Sequence, residues 1–264
     1  MQRRDFISAS LATSALALSQ SGAAQATTSH AREYYVIRRY NLQSGPQNAL
    51  AEKYFSDALL PALTRLGMGP IGAMHLEYGP ETPACLALIP GPSAEALATI
   101  DLRLADDAEF MKAAEPFWSA PATAPAFQRV ESSLLVAFEG WPKLTPPPAS
   151  ATKAKRIFQM RTYESPSFAA HVRKVEMFNA GEFEIFKTAG FHPVFFGDVL
   201  AGERMPKLTY MLSLDGTDQL DAKWDNFRND PAWKKLSTSP RYSYEPIVSS
   251  IDNFILSPMA CSQI

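Results

Sequence analysis

"YVIRRYNLQS" (Tyr35–Ser44) and "FQMRTYESPS" (Phe158–Ser167) are close to one strand written twice. A shift of 123 residues lays Arg38 on Arg161 and Tyr40 on Tyr163. The same ungapped register lays Phe55 on Phe178, Gly67 on Gly190, Pro70 on Pro193, Gly79 on Gly202 and Pro83 on Pro206. Glycine and proline are the residues a turn constrains most, so this agreement predicts two halves that bend in the same places. Beyond Pro206 the register shortens. "EPFW" ending at Trp118 then matches "DPAW" ending at Trp233, and "ESSLLVAF" from Glu131 pairs with "SSIDNFIL" from Ser249. The first half therefore carries an insertion in its second helical region.

Each half reads β-α-β-β-α-β. In the second, the stretch from Ile157 to Tyr163 alternates as a strand. Phe168, Val172, Val175, Phe178, Phe183 and Phe186 then recur at helical spacing, and Gly190 ends that helix. "PVFFGDVL" and "KLTYMLSL" are strands joined by a turn at Gly202, and "SSIDNFIL" closes the sheet. In the first half Pro61 is expected to kink the long helix. Pro146-Pro147-Pro148 can neither pair nor coil, which marks a linker. A four-stranded antiparallel sheet with both helices on one face leaves its other face bare, and two such sheets can cover each other. The expected fold is an α+β barrel, the intramolecular counterpart of a dimer.

The first 26 residues are set apart. Arg3-Arg4 before Asp5-Phe6-Ile7, a short Ser- and Ala-rich apolar stretch and the small-x-small pattern Ala24-Gln25-Ala26 together resemble a twin-arginine export signal. The expectation is export to the bacterial periplasm or beyond, with no membrane span once the signal is removed. Without that segment 238 residues remain, carrying 23 basic against 26 acidic side chains. A net charge of −3 provides no field for nucleic acid or anionic lipid. Two cysteines, Cys85 and Cys261, make no metal site and read as structural.

Alternation along "IFQMRTY" separates Phe158, Met160 and Thr162 from Ile157, Gln159, Arg161 and Tyr163. If the Phe–Met face meets the helices, Gln159, Arg161 and Tyr163 point into the barrel, as do Arg38 and Tyr40 in the first half. A guanidinium there loses hydration and needs acceptors or an anionic ligand. Asp252, Asp198 and Glu131 are the internal acceptors expected on strands. Arg38, Tyr40, Gln159, Arg161, Tyr163 and Asp252 are thus the candidate ligand-binding residues, with a structural Arg–carboxylate pair as the alternative reading. His171 is expected on a solvated helix face, and no histidine pair shows metal-ligand spacing. Trp118 and Trp233 are expected to anchor short helices against the sheets.

Taken together, these features resemble the NIPSNAP family, small domains of the dimeric α+β barrel superfamily. "FQMRTYES" is similar to the family's opening strand, "IFKTAGFHPVFFGDV" to its helix-Gly-strand segment, "FRNDPAWKKL" to its Asp-Pro-x-Trp helix and "DNFILSPMACS" to its last strand. The resemblance implies two tandem ferredoxin-like (βαββαβ) repeats: a diverged domain over 33–144, a Pro-rich linker over 145–155 and a second domain over 156–261. The glutamate that usually stands two positions before the family's Arg is Val36 in one copy and Gln159 in the other, and no catalytic residue carries over. The expected activity is binding of a small polar or anionic ligand in or at the mouth of the barrel, by a monomer or homodimer without a cofactor. Two alternatives stand beside it. One is an oxidative enzyme by analogy of fold, cofactor-free or using haem on His171 or His192. The other is a protein-interaction scaffold.

Overall fold

The computed structural model describes residues 31–264 apart from Ser44, so the export-signal reading of residues 1–26 lies outside the described residues. Eight strands form one closed antiparallel barrel. They are β1 (Tyr34–Asn41), β2 (Gly72–Tyr78), β3 (Ala84–Gly91), β4 (Arg129–Ala137), β5 (Ile157–Glu164), β6 (His192–Ala201), β7 (Lys207–Leu214) and β8 (Ser250–Pro258). Around the barrel the order is β1-β3-β2-β8-β5-β7-β6-β4. Within each half the first strand is central, flanked by the third and fourth: Arg38 opposes Ala87 and Ser132, while Arg161 opposes Tyr210 and Asn253. The ladders β2–β8 and β4–β6 join the halves, so every strand has two neighbours.

Helices pack outside the barrel. The first half carries α1 (Gly45–Lys53) and α2 (Leu60–Arg65), then α3 (Ala94–Ala98), α4 (Ile100–Ala105) and α5 (Ala108–Trp118). The second carries α6 (Phe168–Met177) and α7 (Phe183–Thr188), then α8 (Leu220–Asn229) and α9 (Pro231–Ser237). A further short helix, α10 (Tyr244–Ile247), follows α9, and the insertion read from the shortened register falls between β3 and Trp118. A π-turn joins α1 to α2 (Tyr54–Leu59) and another joins α6 to α7 (Phe178–Glu182). Pro61 sits in the first turn of α2, where its missing N–H costs nothing, so the break precedes it. The second half breaks at the matching place without a proline. Gly67 and Gly190 end the helical segments at φ 76° and 93°, the left-handed geometry that makes both of them caps.

Burial divides into three apolar layers. Phe158, Met160, Tyr35, Leu86, Leu88, Met211 and Leu256 fill the barrel interior, drawn from both halves. Tyr40, Phe55, Leu63, Ala87 and Phe117 fill the space between the first sheet and its helices. Tyr163, Phe178, Phe186, Phe196 and Tyr210 do the same in the second half. The side-chain assignment made from strand alternation is therefore reversed. Phe158 and Met160 point into the barrel, whereas Tyr40 and Tyr163, with Arg38 and Arg161 in the same alternation, face the helices. The physical reason is that both faces of each sheet are apolar, so alternation separates the faces without saying which one is inside.

One end of the barrel is sealed. Leu144 and Ile264 pack into the interior cluster, and Arg156 donates from Nε to the Ile264 carbonyl at 3.2 Å. Thr145 N–H, in the proline-rich stretch, donates to the Val194 carbonyl at 2.8 Å. The other end opens beside the turns that follow β2 and β6.

Candidate functional site in the first half

Between the first sheet and α3–α5 lies a cavity of about 610 Å³, within the range of small-molecule pockets. Strand β1 supplies Val36, Arg38 and Tyr40 to it, because these alternate residues share the helix-facing side. Helix α4 supplies Asp101. Its neighbours Ile100 and Leu104 are buried and fix the helix against the sheet, which aims Asp101 at β1. Arg38 Nη1 and Nη2 donate to the two Asp101 oxygens at 2.7 and 3.1 Å, a two-pronged fork. Arg38 is 9% exposed and the Asp101 side chain 62%, so the carboxylate sits at the solvent edge with the guanidinium beneath it. Burial works against the Arg38 charge, but Tyr40 and Asp101 outweigh it and hold its pKa above the usual value.

Aromatic rings line the rest. Tyr40 meets Tyr54, Phe55, Phe117 and Phe127 edge-on, and Tyr54 stacks on Phe117 at 4.0 Å. Trp118 Nε1 donates to the Tyr54 hydroxyl at 3.2 Å. Burial raises the pKa of both Tyr40 and Tyr54, which keeps them phenols at neutral pH. The site thus offers a guanidinium and phenolic O–H donors among aromatic walls.

The matching position in the second half is occupied by side chains. Trp224 of α8 lies over Arg161, with the guanidinium carbon 4.3 Å from the ring centroid, and its Nε1 donates to Gln159 Oε1 at 2.8 Å. Arg161 also sits 5.1 Å from the Tyr163 ring, and the Tyr163 and Tyr210 hydroxyls are 2.9 Å apart. Nearby, Lys174 and Glu182 form a buried ion pair at 2.7 Å, with Lys174 4.4 Å from the Phe178 ring. Burial acts against both charges, lowering Lys174 and raising Glu182.

The six predicted residues are thus dispersed. Arg38 and Tyr40 line the cavity, Gln159, Arg161 and Tyr163 lie under Trp224 and the second half's helices, and Asp252 lies at the barrel mouth. None of the expected acceptors takes Arg38 or Arg161, the two register-matched arginines. Asp252 pairs with Arg204, Asp198 Oδ1 accepts from His171 Nε2 at 2.7 Å in the Nε2–H tautomer, and Glu131 accepts from Arg129 at 2.8 Å. Asp101 was missed because it lies 63 residues from Arg38, inside the insertion. Trp224 had a visible signal, since Trp224 and Phe227 share a helix face three residues apart.

His171 is buried on α6 rather than solvated, while Phe168 and Val172 are 71% and 63% exposed. Trp118 lines the cavity as well as anchoring α5. Neither His171 nor His192 lines the cavity, so the residues present do not fit a haem held there by an axial histidine. Cys85 Sγ lies 3.7 Å from His75 Nδ1, whose Nε2 is 3.2 Å from Glu52, a Cys–His–Glu line. Burial pushes that thiol up to about 12, and a thiol held protonated is no nucleophile. Among the described residues no group of three or more His, Cys, Asp or Glu could hold a metal, and no helix is long and apolar enough to cross a membrane.

Residues 158–263 match the NIPSNAP family model. No curated protein matches the sequence. Among solved structures the chain is similar to a candidate monooxygenase from Fusobacterium nucleatum, with TM-score 0.55, 10% identity, and coverage of 87% of this chain and 94% of that one. A candidate monooxygenase from Lactobacillus acidophilus gives 0.55 and 11%, over 87% and 95%. An anthrone oxidase-like protein gives 0.52 and 11%, over 86% and 91%. At these identities the likeness concerns the fold.

Proposed function

The chain carries a NIPSNAP domain over residues 158–263, and from the cavity in its other half we propose that it binds a small, flat organic molecule between β1 and helices α3–α5. The ligand presents an acceptor or anionic head to Arg38 and an aromatic or apolar body to Tyr54, Phe117 and Phe127. In this reading the two halves are tandem ferredoxin-like repeats, supported by their shared strand order. The second is the packed partner and the first is the receptor. The observation that carries the proposal is that Arg38 faces a cavity of about 610 Å³ while its register mate Arg161 lies under an indole. Arg38 is held by one exposed carboxylate, which a ligand head can join or displace at the solvent edge.

A thermal-shift screen of aromatic carboxylates and hydroxyquinones tests the reading. Ligands that raise the melting temperature of the wild type should lose affinity about tenfold or more in Arg38→Met. A screen in which no such compound stabilises the protein overturns it, as does binding unaffected by both Arg38→Met and the cavity-filling Ala98→Trp.

The fold likeness to candidate monooxygenases supports a second reading, oxidation of that same ligand by dioxygen without a cofactor. Oxygen-electrode measurements with anthrone check it. Uptake should depend on protein and fall in Tyr40→Phe if the phenol donates to the reacting oxygen.

A further inference from the structure

The open end of the barrel holds another cavity, of about 260 Å³, on the opposite face of the sheet from the first. Its floor is apolar, made of Ile37, Leu86, Met160 and Phe254. Thr162 and Thr209 stand above that floor with their hydroxyl oxygens 2.9 Å apart. Most of the rim's charges are paired. Arg39 lies 3.7 Å from Glu81 and 3.9 Å from Glu131, and Arg204 holds both Glu164 and Asp252.

Lys207 differs. It lines the cavity, is 8% exposed, and its ammonium makes no hydrogen bond or ion pair among the described residues. Its position is set by the β5–β7 ladder: Lys207 opposes Glu164, and two residues on, Thr209 opposes Thr162. Side chains two apart share a strand face, so the ammonium and the threonine hydroxyls converge on one volume. A nearly buried cation with no bonded counter-charge is costly, and a ligand anion is what would relieve it. Burial, aided by neighbouring Arg204, holds Lys207 below its ordinary value against the longer-range pull of Glu164, Glu203 and Asp252, none of which bonds it.

We propose that the barrel mouth binds a small monocarboxylate, its head on Lys207 and Thr209 and its short apolar tail on Met160, Leu86 and Phe254. One unpaired cation suits one negative charge. Arg39 and Arg204 are already taken by rim carboxylates, and Glu203, which forms no ion pair among the described residues, disfavours a dianion such as phosphate. The apolar floor favours a hydrocarbon tail over a fully polar anion, and the volume limits that tail to a few carbons.

Calorimetric titration with hexanoate, and separately with inorganic phosphate, tests this. Hexanoate should bind the wild type and phosphate should not. Lys207→Met, which removes an unpaired buried charge, should melt no lower than the wild type and bind hexanoate about tenfold to a hundredfold more weakly. Met160→Trp should abolish binding by filling the floor. The proposal is overturned by no hexanoate binding to the wild type or by phosphate binding equally well. Full affinity in either Lys207→Met or Met160→Trp also overturns it, so a folding failure of one variant leaves the other to decide.

Discussion

Arg38 and Arg161 share a register but not a role, and their difference lies in what reaches them. Asp101 bonds one from the edge of a cavity and Trp224 covers the other. The repeat of "RRY" and "RTY" was legible because it is local, and so were the strands that bear it. The direction in which the arginines point was not. Deciding that needed the apolar content of the barrel interior, which two distant segments supply together. Lys174 and Glu182 were equally hidden, since a buried ion pair on a helix looks like a solvated one in sequence. Breaking this pair removes the counter-ion 2.7 Å from a fully buried charge. Lys174→Met or Glu182→Leu should each cost about 3–5 kcal/mol in urea unfolding, whereas the double replacement should lie closer to the wild type.

At the scale of elements, helix ends gave the firmest sequence signals. Gly67 and Gly190 cap where expected, and Asp230 caps α9 by accepting from the N–H groups of Ala232 and Trp233 at 2.7 and 3.3 Å. Asp230→Ala should therefore cost about 1 kcal/mol, read as a lower unfolding midpoint. The buried face of α6 was not legible. Phe168 and Val172 fit the apolar stripe by spacing, yet Ala170, His171, Lys174 and Met177 are the residues that face inward. The stripe continues into Phe178 and Phe183 only across the π-turn, which rotates the helix between them. The surface of α6 also carries an acid-sensitive tie. Arg241 and Tyr242 bond Glu176 and lower its pKa from 4.5 to about 2. A depressed carboxylate contributes stability above its unfolded value that is lost as the pH falls through its folded one. The wild type should then lose stability between about pH 4.5 and pH 2 relative to Arg241→Ala, measured by thermal melts across that window.

For the whole molecule, closure comes from β2–β8 and β4–β6, ladders that neither half can make alone. A fragment of residues 156–264 bares the edges of β6 and β8, and exposed edges pair with whatever strand they meet. Light scattering should find that fragment dimeric, with a second copy standing in for the missing half; a stable monomer would contradict the account. Export is proposed on the leader alone. Replacing Arg3 and Arg4 by lysine should leave a leader–reporter fusion in the cytoplasm, scored by fractionation.

The sealing of one barrel end by Leu144 and Ile264 has a kinetic corollary. With that end shut and the interior packed, the mouth cavity has a single doorway, so a guest must back out by the path it took in, tail last and head first. Exchange between two guests is then strictly sequential. A rival added in excess can only wait for the departure of the first, never hasten it, and the release rate should stay flat however concentrated that rival becomes.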